Sequence, residues 1–173
     1  MSGPVMMEPM DVREEIVYQA TPDDVFEMLC DQEWREKVCR GIGSVRYEVT
    51  VSRTSDGATI RNDRVMNADL PDIAKKIVGD TIEMVQTEEW GPREPDGARH
   101  GTFQVEIPGK PGAIKGTVSI KPESTGTREV VAGTVKVSIP LVGKKLEAEV
   151  VRGMKAALEV EGRIGAGWLD GRR

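Results

Sequence analysis

One histidine, two cysteines and a few polar residues set among apolar strand positions are the groups in this 173-residue sequence that could do chemistry. His100 is the only imidazole, so any triad or acid–base pair built on histidine must use it. It stands between a Gly/Pro-rich stretch and an alternating segment, where a hairpin side chain faces solvent. Zinc-finger and HExxH spacings need a second histidine, and the glycine-rich signatures of dinucleotide and P-loop nucleotide sites are absent. Cys30 and Cys39 have no CxxC spacing and read as reduced, partly buried thiols. No catalytic residue, metal site or cofactor is expected from these groups.

The polar residues within alternating segments are more informative. Residues 81–90, TIEMVQTEEW, place Ile82, Met84, Gln86, Glu88 and Trp90 on one face, so Glu88 shares a face with apolar neighbours. Its neighbour Glu89 points the opposite way, which excludes the two as cooperating carboxylates on one substrate. An inward Glu88 needs either a raised pKa or a cationic partner, and Arg64 is the candidate. Residues 58–68 offer Ile60, Asn62, Arg64 and Met66 on one face and Thr59, Arg61, Asp63 and Val65 on the other, so polar groups turn inward on either assignment. A mostly apolar pocket with a few polar groups is the usual form of a ligand site, although a cross-strand structural network explains Asn62, Arg64 and Gln86 equally well.

The elements that must position these groups follow from period and punctuation. Residues 11–19 form a strand with Val12, Glu14, Ile16 and Tyr18 on one face. Thr21-Pro22-Asp23-Asp24 starts a helix with a capping hydroxyl, proline in the first turn and acids at the positive end of the dipole. A second short helix continues through Trp34 and Val38 to Gly41. Tyr47 then lies on the apolar face of a strand with Val45, Val49 and Val51, and Ser55-Asp56-Gly57 turns the chain back. Leu70-Pro71-Asp72 breaks the next strand before a short helix over 73–78, a candidate lid. After the 81–90 strand come three more, near 101–107, 113–121 and 127–139. Their inward candidates include Phe103 and Val105, then Val118, then Val135. From Lys144 to Leu169, 26 residues carry Leu146, Val150, Met154, Leu158 and Ile164 at helical spacing, a helix about 39 Å long. Close approach to the sheet is the expected reason for Gly153, and fraying the expected effect of Gly162, Gly165 and Gly167.

Composition narrows the class. Residues 1–10 read as a flexible leader, 11–169 as a single domain and 170–173 as a tail. Hydrophobic residues at 38% and charged residues at 31% suit a globular chain, and no apolar run approaches the roughly 20 residues that span a bilayer. With 24 basic and 29 acidic residues the formal charge is −5, which disfavours nucleic acid as a partner. The N-terminus has neither a basic region nor an apolar one of the secretory kind, so a cytoplasmic location is expected. The composition does not indicate an oligomeric state.

The order strand, two short helices, six-stranded meander and long C-terminal helix resembles the START-like superfamily, also called polyketide cyclase or Bet v 1-like, over residues 11–169. Three segments carry the resemblance: Ala20-Thr21-Pro22-Asp23-Asp24-Val25-Phe26, Trp34, and Ser138-Ile139-Pro140-Leu141-Val142-Gly143-Lys144-Lys145-Leu146-Glu147. Together they resemble its uncharacterised bacterial branch, the DUF2505 group. The resemblance implies an α+β helix-grip fold, about seven antiparallel strands wrapped around the long helix, with a cavity beneath it. The expected function is binding or carrying a hydrophobic small molecule of lipid, isoprenoid or polyketide type. Tyr47, Asn62, Arg64, Met66, Met84, Gln86, Glu88, Trp90, Phe103, Val105, Val118, Val135, Met154 and Leu158 are the expected lining. A cyclase, dehydratase or hydrolase using Arg64 and Glu88, and a protein-interaction module of the chaperone-activator or toxin type, are the alternatives.

Overall fold

The computed structural model describes residues 8–171. Residues 1–7 of the expected leader and 172–173 of the expected tail lie outside the described residues, and Met10 already belongs to the first strand. The elements run β1 (Met10–Tyr18), α1 (Pro22–Leu29), α2 (Gln32–Gly41), β2 (Arg46–Arg53), β3 (Ala58–Asn67), α3 (Asp72–Val78), β4 (Thr81–Trp90), β5 (Arg99–Glu106), β6 (Gly112–Glu123), β7 (Gly126–Val137) and α4 (Gly143–Leu169). All seven strands form one antiparallel sheet in the order β1-β7-β6-β5-β4-β3-β2. This is the α+β helix grip that the resemblance implies.

Local chemistry starts the elements where expected. Thr21 Oγ1 accepts the Asp24 N–H, Asp31 Oδ1 accepts the Trp34 N–H, and Thr54 Oγ1 accepts the Gly57 N–H in the β2–β3 turn. The inward face of β3 is Ala58, Ile60, Asn62, Arg64 and Met66, because Ile60 and Asn62 are buried whereas Arg61 is exposed. Val45 departs from expectation. It precedes β2 and is 60% exposed instead of sharing the buried face. Both cysteines are free and buried, and burial pushes their thiols up.

The glycines of α4 behave opposite to expectation. Gly153 is exposed, and a Cβ placed there would meet nothing within 4 Å, so close approach is not its reason. At Gly162 a Cβ would come within 3.1 Å of Ile16, and at Gly165 within 2.6 Å of the Tyr18 ring. The end of α4 does not fray; it presses on β1, and Trp168 is buried. At the other end, the buried Glu147 carboxylate accepts the Val137 N–H at 3.0 Å and ties α4 to the end of β7. Gly153→Ala should therefore stabilise the protein by about 0.5–1 kcal/mol through helix propensity. Gly165→Ala should destabilise it by about 1–3 kcal/mol through overpacking on Tyr18. Thermal unfolding of the two variants should give midpoints on opposite sides of the parent.

Candidate functional site

The interior beneath α4 is more polar than an apolar cavity would be. Arg35 of α2 and Glu88 of β4 are 3% and 5% exposed and form a bidentate pair, Nη1 to Oε1 at 2.8 Å and Nη2 to Oε2 at 2.9 Å. The third arm of the guanidinium, Nε, donates to the Leu29 carbonyl at 2.6 Å. Glu88 accepts two further bonds, from Gln86 Nε2 at 2.8 Å and Trp90 Nε1 at 2.9 Å, and Arg64 Nη2 donates to Gln86 Oε1 at 2.9 Å. The partner of Glu88 is thus Arg35, and Arg64 reaches it only through Gln86. Burial raises the Glu88 carboxyl, but the Arg35 charge and the bonds from Arg35, Trp90 and Gln86 outweigh it and hold the group below the usual carboxylate range. A carboxylate so fully engaged is a poor proton acceptor, which argues against Glu88 as a general base.

Two more carboxyls stand near this pair. Glu129 of β7 is 3% exposed, and desolvation together with the charges of Glu161 and Glu88 raises it well above its ordinary value. Glu161 of α4 is pushed up to about 7 by desolvation, against the pull of Arg35 and with the push of Glu88. The Tyr18 hydroxyl is raised as well, by burial and then by Glu129 and Glu161. Arg35 stays charged because Glu88, Glu161 and Glu129 oppose the effect of its own burial. Sequence reasoning missed Arg35, Glu129 and Glu161 as members of this cluster. The available signals were the parity of Glu129 with Val131 and Val135 on β7, and the three-residue step from Leu158 to Glu161 on α4.

The expected lining residues fall into three groups. Trp90, Phe103, Val105, Val118 and Val135 are closed into the core. Asn62 and Glu88 are buried polar groups. Tyr47, Arg64, Met66, Met84, Gln86, Met154 and Leu158 are only half-buried. The sheet members of this last group occupy adjoining ladder rows, Tyr47 opposite Arg64, Arg64 opposite Met84, and Met66 opposite Ile82, at the end of the sheet next to α3. Val150 and Val151 of α4 are half-buried with Met154 and Leu158, and all four pack against the core. Two clefts of about 400 and 500 Å³ lie elsewhere; their lining includes Lys115, Thr134 and Lys136 in one and Thr87, Thr102 and Gln104 in the other, residues that alternate with the inward set. His100 is half-exposed and pairs with Glu94 at 3.1 Å. Among the described residues no group of His, Cys, Asp and Glu is placed to hold a metal ion, and no helix is long and apolar enough to cross a membrane.

A family model described as a protein of unknown function, DUF2505, matches residues 14–169. The chain belongs to the DUF2505 family. Among solved structures this DUF2505 chain is similar to TTHA0849 from Thermus thermophilus, with a TM-score of 0.64, 21% identity, and coverage of 94% of this chain and 99% of that one. It is also similar to the di-domain aromatase/cyclase StfQ of the steffimycin biosynthetic pathway, at a TM-score of 0.62 and 14% identity over 94% of this chain and 51% of that one. The Zhui aromatase/cyclase from Streptomyces sp. R1128 follows at a TM-score of 0.55 and 10% identity, over 95% and 93% of the two chains. At these identities the likeness establishes the helix-grip fold and nothing finer. Comparison with curated protein sequences finds no match.

Proposed function

We propose that this chain binds or carries an apolar small molecule of lipid, isoprenoid or polyketide type between the first half of α4 and the α3 end of the sheet. The observation that carries the reading is that apolar side chains are left half-buried on both elements, Val150, Val151, Met154 and Leu158 on the helix and Tyr47, Met66, Ile82 and Met84 on the strands. In a core closed for stability alone such residues pack fully, as they do around Trp90 and Phe103. Methionine suits an adaptable ligand surface, and the Arg64–Gln86 pair supplies polar groups at its edge. The aromatase/cyclase names borne by StfQ and Zhui lend support to a polyketide-like ligand.

Native mass spectrometry of protein purified from its own cell type should show a bound apolar molecule. A ligand-free protein that also refuses apolar dyes and lipids would sink the proposal. Leu158→Trp should fill the groove and reduce uptake of an apolar dye by about tenfold or more, the equivalent of one lost aliphatic contact. Its thermal midpoint should stay near that of the parent.

A further inference from the structure

Among the described residues the large apolar side chains that stand exposed are Val17, Val45, Ile73, Ile77 and Leu141. All but Val17 gather at one end of the fold, where β2, β4 and β6 begin, β3, β5 and β7 end, and α4 starts. Hydrogen bonds join the segments that carry three of them. Lys110 Nζ, in the β5–β6 loop, donates to the Ile77 carbonyl of α3 at 3.1 Å. Ser138 N–H, at the start of the β7–α4 connection, donates to the Pro111 carbonyl at 2.8 Å. Ile73, Ile77 and Leu141 therefore belong to one rim, and the half-buried Met66 and Ile82, paired across β3 and β4, flank α3 in the chain.

The rim is built to display these groups. Leu141 is fully exposed and holds a left-handed backbone, φ 68°, which a leucine adopts only at a cost. Pro140 before it and the Gly143 N–H bond to the Ile139 carbonyl fix the turn in which it stands. Charge sets the rim apart as well. Residues 71–79, 107–112 and 138–145 carry five lysines against the single acid Asp72, in a chain whose formal charge is −5; Lys144 is paired with Glu147 at 3.1 Å, which leaves Lys75, Lys76, Lys110 and Lys145. Asp69 and Asp80 flank α3 at its base. Apolar side chains that alternate with lysines on a short helix and two loops match an anionic bilayer surface, into which the apolar tips insert while the ammonium groups meet lipid phosphates.

We infer that this rim, formed by α3, the β5–β6 loop and the β7–α4 turn, docks on an anionic lipid membrane with Ile73, Ile77 and Leu141 entering the interface. The surface extends the ligand reading without depending on it, since it would set the groove entrance against the phase in which an apolar ligand resides. The test is co-sedimentation of the full chain with vesicles of phosphatidylcholine alone and of phosphatidylcholine with phosphatidylserine. Binding should favour the vesicles containing phosphatidylserine and weaken with added salt. Leu141→Asp and Ile77→Asp should each reduce it by about tenfold or more, and Lys76→Glu with Lys145→Glu by a similar factor, all with unchanged thermal midpoints because the sites are exposed. Leu158→Trp, which blocks the groove, should leave vesicle binding intact, so a failed ligand reading and a failed docking surface are told apart. No sedimentation with either vesicle, or sedimentation indifferent to these rim substitutions, overturns the inference. So does a self-association that Leu141→Asp abolishes in the absence of any vesicle binding.

Discussion

Glu88→Ala should lower the stability of this domain by about 3–5 kcal/mol, the usual cost of stranding one member of a buried ion pair. Arg35 would then keep its charge with the Leu29 carbonyl as its remaining strong neutral partner, and Gln86 and Trp90 would each lose an acceptor. For a chain of this length each kcal/mol moves the thermal midpoint by about 2–4 °C, so a drop of roughly 10 °C is expected. Arg35→Met should cost at least as much, because it leaves Glu88, Glu129 and Glu161 facing one another without their shared cation. Glu88→Gln should be milder than either. It removes one of the charges that raise Glu161, so Glu161 ionises more readily and replaces part of what Arg35 has lost. Urea unfolding of the three variants gives the order directly. A Glu88→Ala protein as stable as its parent would mean that the pair contributes no more than an exposed one.

That pair also shows where sequence and structure part company. Strand period groups Glu88 with Met84 and Trp90 on one face, though a solvated strand end is the simpler reading of Glu88-Glu89, and Thr21-Pro22-Asp23-Asp24 starts α1 at its observed first turn. Both are short-range facts, carried by parity or by capping within a few residues. The partner of Glu88 lies 53 residues away on α2, beside the buried Trp34, in a run of charges where one arginine looks like any other. Which of them turns inward depends on how α2 is rolled against α4 and the sheet, a tertiary matter. The glycines of α4 fail for a related reason. Helix propensity counts Gly162 and Gly165 as weak points, whereas packing requires a missing Cβ wherever Ile16 and Tyr18 press against the helix. Family likeness supplied the helix grip, but it could not supply the polar interior, since Arg35, Glu129 and Glu161 belong to no motif that carries a role.

The polar interior makes a second large effect measurable without any ligand. Glu129 and Glu161 hold protons in the folded state that the unfolded chain, with ordinary carboxyls near 4.5, releases. Groups raised in this way contribute stability that is complete below about pH 4.5 and is lost as pH climbs through their folded values, about 7 for Glu161 and higher than the ordinary range for Glu129. Glu88, lowered on folding, contributes in the opposite sense, and its share is lost only as pH falls below the ordinary carboxylate range. Between those limits stability should decline as the solution is made more alkaline, and the midpoint should be higher at mildly acidic pH than at mildly alkaline pH. Moving one carboxyl from 4.5 to about 7 corresponds to on the order of 3 kcal/mol, which for this chain length is about 6–12 °C. Glu161→Gln should remove about half of the slope, the rest belonging to Glu129, and raise the midpoint on the alkaline side, since the amide has no proton to lose and no charge to bury. Calorimetric scans of parent and variant across that range decide the matter, and a parent midpoint that does not fall with rising pH would show that Arg35 compensates all three carboxylates at once. In that case the interior would carry two net negative charges beside Arg35 without penalty, which requires water within hydrogen-bond reach of Glu129 and Glu161.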